Sequence, residues 1–352
     1  MATGNDFTWN TIEMCVLTRT PVVIWGEPGI GKTRRVEQMS ARLRLPCETV
    51  IASIREPSDF GGLPALSDDG VFLHAPAWAK RLARQGTGTL FLDELSTAPA
   101  AVQAALLRVA LDRVVGDLEL PKDVAVVAAA NPPECAAGGF ELSPPLANRF
   151  IHVEAEVDVD AWLEWCGEQV REGLDLCASY IKHSPQSLHR MPTDRSSAGL
   201  AWPSPRSWDQ AGALIDKAID LGVSPRSPAV GAMVCGAVGE GAGIAFTEWV
   251  RSLDLPDPEW LLAKPHKWKV PRRGDVVYAT LSSMLHVVKK NPTEERWRAA
   301  WKVLSQAIAG SQPDVAAGQA KALAKMRPAG AVTPKEVSDF MPLLHASGVL
   351  QG

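Results

Sequence analysis

The segment that decides the fold is Gly26-Glu-Pro-Gly-Ile-Gly-Lys-Thr33, which follows the apolar run Pro21-Val-Val-Ile-Trp25 and opens a helical pattern that continues to Leu43. Its residues fit the pattern G-x-x-x-x-G-K-[ST] of a phosphate-binding loop. The glycines let the backbone turn tightly so that consecutive N–H groups face phosphate oxygens, and the following helix adds the positive end of its dipole. Strand, loop and helix in succession therefore predict a nucleotide site.

The loop supplies most of the residues that we expect to bind ATP and Mg²⁺. Lys32 offers a positive charge to the β- and γ-phosphates, and the hydroxyl of Thr33 is a ligand for Mg²⁺. The predicted nucleotide-binding set comprises Gly26, Glu27, Pro28, Gly29, Ile30, Gly31, Lys32, Thr33, Arg34 and, from a later strand, Asp93.

Two further apolar runs end in polar side chains. Thr89-Leu-Phe-Leu-Asp93-Glu94 ends in two carboxylates, which are costly to bury without partners. Beside a phosphate loop, Asp93 would hold Mg²⁺ through its water shell, and Glu94 would orient and deprotonate the attacking water. The run at 124–130 ends at Asn131, whose amide would contact the γ-phosphate and this water, although Asn before Pro also begins many turns.

The first half of the chain alternates short apolar runs with helical patterns. Strands are predicted at 21–25, 48–52, 89–93, 124–130 and 150–153, and helices at 33–43 and 98–112. This alternation indicates a parallel sheet covered by helices on both faces.

The second half has mainly helical patterns. We predict helices at 161–170, 208–221, 229–253 and 294–308, with a loop at 184–205. The prediction is therefore an α/β nucleotide-binding core over residues 1–156, followed by a mainly helical lid and C-terminal extension over residues 157–352.

Composition limits the class of protein. Apolar residues make up 46% of the 352, enough for a sizeable core, and the formal net charge of −4 gives no basic excess for nucleic acid or an anionic membrane. No apolar run approaches the roughly 20 residues of a membrane span, and the N-terminus lacks a signal-peptide pattern. The six cysteines have no CxxC or zinc spacing. We expect a cytoplasmic protein with no membrane partner. Nucleic acid is an unlikely partner.

Together these motifs resemble a known family. GEPGIGKT, LFLDE, AAANPPE and SPPLANRF occur in the order and rough spacing of AAA+ ATPases, and the chain looks most like the MoxR-like branch. The resemblance is specific over residues 15–155 and again over 202–213, and it is faint after 225. It implies a P-loop NTPase sheet sandwiched by helices, a helical lid, and a ring of subunits, usually a hexamer, with ATP bound between neighbours.

The resemblance assigns roles to the residues already singled out. Lys32 and Thr33 match the Walker A lysine and hydroxyl, Asp93 and Glu94 match Walker B, and Asn131 matches the first sensor. These assignments agree with the roles that phosphoryl transfer requires, because that reaction needs charge stabilisation around the γ-phosphate and little covalent chemistry.

Two arginines receive roles from the resemblance as well. Arg149, in Leu-Ala-Asn-Arg-Phe, matches the arginine finger that reaches into the neighbouring subunit's site, and Arg206, in Ser-Pro-Arg-Ser-Trp, matches the second sensor on the lid. A surface ion pair for Arg149 and a solvated charge for Arg206 stay open as alternatives. Arg113 is a candidate for a second arginine acting on the neighbour.

Three segments are candidates for contact with a client or partner. The segment 58–64 contains Phe60 and Leu63 beside two glycines, and either a mobile apolar tip or a turn with Phe60 in the core fits it equally well. The sequence VGDLEL at 115–120 resembles a hairpin insert of the MoxR-like branch. The segment 260–268 is rich in Pro and Lys and carries two tryptophans, which core packing or a partner-binding patch would explain.

The leading hypothesis for function is a MoxR-type remodelling ATPase, which refolds, assembles or inserts a cofactor into a client protein. In relatives the client or adaptor often has a von Willebrand A-type domain. The alternative is the ATPase subunit of a nucleic-acid-directed restriction or defence system, against which the acidic balance counts. A small-molecule kinase is a third hypothesis, and the arginines and the helical second half argue against it.

Overall fold

The computed structural model describes residues 4–67, 70–133, 135, 141–192, 199–310 and 313–346. The chain divides into two compact units, Met1–Val157 and Asp158–Gly352, and each is considered by itself. Glu134, in the AAANPPE motif, and part of the predicted loop at 184–205 lie outside the described residues. Within the described ranges, no helix is long and apolar enough to cross a bilayer.

The first unit is an α/β unit. Its helices are α1 (Gly4–Thr18), α2 (Lys32–Arg42), α3 (Ser58–Gly61), α4 (Ala77–Gln85), α5 (Ala100–Asp112) and α6 (Pro144–Ala147). Its strands are β1 (Val22–Trp25), β2 (Cys47–Ile51), β3 (Leu63–Ser67), β4 (Gly70–His74), β5 (Thr87–Asp93), β6 (Val114–Val115), β7 (Leu118–Glu119), β8 (Asp123–Ala130) and β9 (Ile151–Glu154).

Five of these strands form one parallel sheet in the order β2-β5-β8-β1-β9. They are the five strands that the sequence predicts, and their bounds differ from the predicted ones by at most two residues. The predicted α/β fold class is therefore confirmed.

The sheet has a hydrophobic core on each face, because successive residues of a strand point to opposite sides. Val22 packs into one core and Val23 into the other, and Phe91 and Leu90 divide in the same way. Such strands are apolar along their whole length, as is typical of a parallel sheet with both faces covered. The sheet thus holds the carboxyl ends of β1, β5 and β8 side by side at one edge.

Two antiparallel hairpins, β3–β4 and β6–β7, project from this unit and are joined to each other. The backbone N–H of Asp117 donates to the carbonyl of Leu73 at 3.0 Å, and the N–H of Leu73 donates back to Asp117 Oδ2 at 2.7 Å. Gly116 has φ 61°, and a Cβ there would lie 2.3 Å from the Leu73 carbonyl oxygen, so only glycine fits this junction.

The structure decides between the two explanations for the segment 58–64. Phe60 is fully buried and packs against Trp78, with ring centroids 6.1 Å apart, so it belongs to the core. Leu63 is 62% exposed, at the start of β3. Only Leu63 of this pair is available to a partner in this conformation.

The regular secondary structure of the second unit consists of helices, over its described residues. Its helices are α7 (Val159–Gln169), α8 (Glu172–His183), α9 (Pro205–Asp220), α10 (Pro228–Val238), α11 (Glu240–Ser252), α12 (Pro258–Ala263), α13 (Gly274–Lys290), α14 (Glu294–Ala309), α15 (Pro313–Lys325) and α16 (Met341–Ala346).

The single helix predicted at 229–253 is wrong, because the chain breaks at Gly239 into α10 and α11. Gly239 has φ 86° and ψ 154°, and a Cβ there would lie 2.5 Å from the carbonyl oxygen of Ala201. Gly243 then lets α11 approach α10 closely, since a Cβ there would lie 2.5 Å from Cys235 Cα. The two helices therefore form a hairpin.

A buried polar pair joins α8 to α13. His286 Nε2 and Asp175 Oδ2 are 2.9 Å apart, and their side chains are 9% and 6% exposed. Burial raises the pKa of Asp175 from 3.8 to about 6, and the hydrogen bond to His286 opposes this rise. The second carboxylate oxygen, Asp175 Oδ1, is buried with no hydrogen-bond partner among the described residues.

Candidate functional site

The phosphate-loop motif follows β1 and ends where α2 begins. Gly29 and Gly31 have φ of 81° and 95°, and Gly31 is the residue that precedes the first turn of α2. Gly26 is buried, its N–H donates to the carbonyl of Ala130 at 3.2 Å, and a Cβ there would lie 2.6 Å from the carbonyl oxygen of Ala155. The glycines thus let the loop pass close to β8 and β9 and present the N-terminus of α2.

Lys32 occupies the centre of the site and is only 8% exposed. Its Nζ donates to the carbonyls of Gly26 at 2.6 Å and Glu27 at 3.1 Å, and to Asn131 Oδ1 at 2.9 Å. The contact with Asn131 joins the phosphate loop to the end of β8. The ammonium group is therefore held inside the loop by three oxygen acceptors.

Thr33 and Asp93 form a second contact between the loop and the sheet. Thr33 Oγ1 donates to Asp93 Oδ2 at 2.7 Å, and the other carboxylate oxygen of Asp93 accepts the backbone N–H of Glu94 at 2.9 Å. A hydroxyl oxygen and a carboxylate oxygen side by side are the hard ligands that Mg²⁺ prefers. These two residues therefore fit the predicted metal role.

Glu94 lies just beyond β5 with an exposed side chain and a left-handed backbone, φ 56° and ψ 39°. The hydroxyl of Ser53 donates to Glu94 Oε2. A non-glycine residue in this backbone region is uncommon and is typical of functional sites, where surrounding contacts hold it. The conformation turns Glu94 away from the strand direction at the edge where Lys32 and Thr33 lie.

Two serines in this site were missed by the sequence analysis. Ser53 holds the carboxylate of Glu94, and the buried Ser96 accepts the backbone N–H of Asn131 at 3.0 Å. The position of Ser96, two residues after Glu94, is a signal that was available. The role of Ser53 depends on the pairing of β2 with β5, which the sequence alone does not specify.

Arg149 and Arg206 lie outside this set of hydrogen bonds, as far as the described residues extend. Arg149 is exposed between α6 and β9, and Arg34 is exposed in the first turn of α2. Arg206 is exposed in the first turn of α9, in the second unit, behind a capping box formed by Ser204 and Ser207. The structure thus brings Lys32, Thr33, Asp93 and Asn131 together at the carboxyl edge of the sheet. Arg149 and Arg206 lie at accessible surfaces.

Arg113 has partners in its own chain. Its guanidinium donates to the carbonyls of Lys122 and Arg19, each at 2.6 Å. These bonds fix the loop after α5 to the loop after α1, which gives Arg113 a structural role in this conformation.

Comparison with known proteins agrees with this geometry. Residues 21–150 match the family model of the AAA domain, dynein-related subfamily. The DNA-binding transcriptional activator HyfR of Escherichia coli is 32% identical over 133 residues, which cover 34% of this chain and 19% of the activator. The Psp operon transcriptional activator of the same organism is 37% identical over 124 residues, which cover 32% of this chain and 37% of that protein.

Among solved structures, the RuvB Holliday junction branch migration motor of Thermotoga maritima aligns with a TM-score of 0.38 and 15% identity, over 75% of this chain and 76% of the RuvB chain. We draw nothing about activity from a likeness at this level. The chain spans less than two fifths of the length of either activator, and the aligned part is about the size of one domain.

Proposed function

We propose that this chain binds ATP with Mg²⁺ and hydrolyses it by transfer of the γ-phosphate to water, and the match of residues 21–150 to the family model of the AAA domain supports this proposal. The observation that carries this proposal is the pair of contacts Lys32 Nζ to Asn131 Oδ1, 2.9 Å, and Thr33 Oγ1 to Asp93 Oδ2, 2.7 Å. They bring a cation, a hydroxyl, a carboxylate and an amide from three separate segments to one edge of the sheet. Phosphoryl transfer requires this combination of groups.

Each group has a distinct task in the proposed reaction. Lys32 neutralises charge on the β- and γ-phosphates, and Asn131 positions the γ-phosphate and the attacking water. Thr33 and Asp93 would hold Mg²⁺, which supplies charge neutralisation on the phosphates when it is bound. The step begins when the attacking water replaces the Ser53 hydroxyl as the hydrogen-bond partner of Glu94. Glu94 then accepts a proton from this water.

The test of this assignment separates binding from chemistry. Glu94→Gln should bind ATP normally and release phosphate about 10²–10⁴-fold more slowly, because only the base is lost. Lys32→Ala should instead lose ATP binding, measured by calorimetry. Glu119→Gln, which changes an exposed carboxylate on β7, serves as the control. Near-normal turnover in Glu94→Gln, or equal ATP affinity in Lys32→Ala, would overturn the proposed site.

We further propose that hydrolysis takes place between subunits of a ring, with Arg149 acting on the neighbour's ATP. The exposed side chain of Arg149 supports this role, since an arginine in an internal ion pair would not be available to a neighbour. Such an arginine is worth about 10³–10⁵-fold in rate where it acts across an interface. In the same scheme Arg206 senses the γ-phosphate from the lid, so Arg206→Ala should weaken ATP binding more than ADP binding.

A mixing experiment tests the ring. Arg149→Ala should bind ATP without hydrolysing it, and mixing it with Lys32→Ala should restore activity, since one chain keeps the pocket and the other keeps the finger. Arg84→Ala, at another exposed arginine, is the control. Mixtures that co-assemble and stay inactive at every ratio would exclude this role for Arg149.

The proposed biological task is MoxR-type remodelling of a client protein, with an adaptor or client that has a von Willebrand A-type domain. The relatives named above are transcriptional activators, but they align with only about a third of this chain, so their likeness supports a proposal about nucleotide chemistry and not one about a shared target. Capture with ATP-bound Glu94→Gln, compared with Lys32→Ala, identifies the client. Stimulation of hydrolysis by DNA or RNA would favour the nucleic-acid-directed alternative, and transfer of phosphate to a small acceptor would favour a kinase.

A further inference from the structure

The second unit carries a dense basic segment that the proposed ATPase does not use. The sequence KPHKWKVPRR, residues 264–273, has five Lys or Arg, one His and no carboxylate, in a chain whose formal net charge is −4. We call its charged side chains the basic ridge, and every one of them is exposed: Lys264, His266, Lys267, Lys269, Arg272 and Arg273.

The backbone of the basic ridge is anchored to the helices beneath it. Trp268 is only 7% exposed and has an extended backbone, φ −71° and ψ 121°. Lys267, which ends a short 3-10 helix, and Lys269 lie on either side of Trp268, and both of their side chains are exposed. Val270 packs against Gly310, where a Cβ would lie 2.7 Å from it. A partner therefore meets charges on an ordered backbone and loses less conformational entropy on binding.

The three lysines of the ridge have no ion-pair partner among the described residues. Among the described residues, no carboxylate lies within the 4.0 Å ion-pair distance of Lys264, Lys267 or Lys269. Arg273 is paired with Asp275. The acids that precede the ridge are engaged elsewhere, since Asp257 caps α12 and Glu259 pairs with Arg296. Charges farther than about 10 Å are screened at 0.1 M salt, so this local excess matters more to a partner than the net charge of the chain.

An exposed aromatic side chain lies beside the ridge. Trp260 is 39% exposed on α12, and its carbonyl accepts the backbone N–H of Lys264 at 2.9 Å. Lys264 directly follows α12 and has a non-helical backbone, φ −136° and ψ 56°, so this hydrogen bond joins the start of the ridge to the residue that carries the indole. Fixed cations beside an open aromatic ring are the two elements with which proteins bind single-stranded nucleic acid.

We propose that Trp260 and the basic ridge bind single-stranded DNA or RNA, with the lysines on phosphates and the indole stacked on a base. An acidic peptide would use the same lysines but would gain little from the indole, and this difference favours nucleic acid. The surface goes beyond the proposed ATPase and needs no hydrolysis, so failure of either proposal leaves the other standing.

The test is fluorescence anisotropy of the full chain, without nucleotide, on labelled oligothymidylate longer than the about 4–16 nucleotides of typical sites. Three neutralised phosphates predict a slope of about −2 for log K against log salt, or a loss of about 20-fold between roughly 50 and 200 mM. Trp260→Ala should weaken binding about tenfold. Charge reversal of Lys264, Lys267 and Lys269 to Glu should remove it.

The control reverses three exposed lysines elsewhere, Lys80, Lys122 and Lys217, so that the net charge changes equally. It should keep most of the binding, and thermal unfolding should show that both triple variants fold. An equal loss of oligonucleotide binding in the two triple variants would show that net charge alone explains the effect, and it would overturn the proposal. Competition by an oligoglutamate peptide at equal charge concentration, with no effect of Trp260→Ala, would assign the surface to acidic peptides instead. Absence of binding at low salt would also overturn it.

Discussion

Replacing Asp175 by Asn should change how the free energy of unfolding depends on pH. The carboxylate is buried between α8 and α13, where burial raises its pKa from 3.8 to about 6. His286 and Arg171 favour the ionised form and Asp216 opposes it, but burial is the largest influence. Asn keeps an oxygen that accepts from His286 and removes the charge.

The size and sign of the effect follow from that difference in pKa. One pKa unit corresponds to 1.36 kcal/mol, so a rise from 3.8 to about 6 corresponds to about 3 kcal/mol. Between these values the folded chain keeps a proton that the unfolded chain has released, so stability falls as pH rises. Above about pH 6 the full cost of burying the carboxylate is present. The stability of Asp175→Asn relative to wild type should therefore increase by up to about 3 kcal/mol between roughly pH 4 and pH 7.

Urea denaturation followed by circular dichroism, at several pH values in that range, measures this difference directly. Titrating groups that do not interact with Asp175 are common to both proteins, so their contribution cancels in the comparison, whereas His286, which contacts Asp175, contributes to the difference. Asp160→Asn, at an exposed carboxylate of α7, should show no such trend. A stability difference for Asp175→Asn that stays constant across the range would refute the reasoning.

Three further outcomes are expected. Ser53→Ala should free the carboxylate of Glu94 and raise basal phosphate release by a few-fold without changing ATP affinity, and a loss of affinity would contradict this. Gly26→Ala places a Cβ 2.6 Å from a backbone oxygen, so calorimetry should find ATP bound at least about tenfold more weakly. Gly239→Ala, at φ 86° after the end of α10, should lower the free energy of unfolding by about 1–3 kcal/mol. Gly236→Ala, in open space within α10, should raise it by up to about 1 kcal/mol. Similar denaturation curves for the two variants would be evidence against strain at the break.

The sheet and the centre of the site were predictable from sequence for a physical reason. Buried parallel strands are apolar along their length, so their positions are visible without any knowledge of their neighbours. A polar residue directly after such a strand must lie at the carboxyl edge, which is where Asp93 and Asn131 are found. The loop from Gly26 to Thr33 is recognisable from the sequence alone, because few other segments require glycine at these intervals.

Features that depend on distant contacts were not predictable. The break at Gly239 lies where the carbonyl of Ala201 comes close, and nothing in the local periodicity indicates that approach. Helix α13 was missed because it is buried on most of its surface, so it lacks the polar face that makes a helical pattern visible. The partner of Glu94 required the strand order, since Ser53 follows β2 and Glu94 follows β5.

The three oxygen acceptors around Lys32 occupy the ammonium group that the proposed nucleotide would bind. In the proposed function, ATP would compete with two loop carbonyls and Asn131 for the ammonium group, so the measured affinity would be the difference between two sets of contacts. Removing the Asn131 amide would weaken the internal set, so a variant at this position can bind nucleotide more tightly while turning it over more slowly. If the phosphates displace Asn131 from Lys32, the Asn131 side chain is freed, while the bond from the Gly26 N–H to the Ala130 carbonyl still joins the loop to the end of β8.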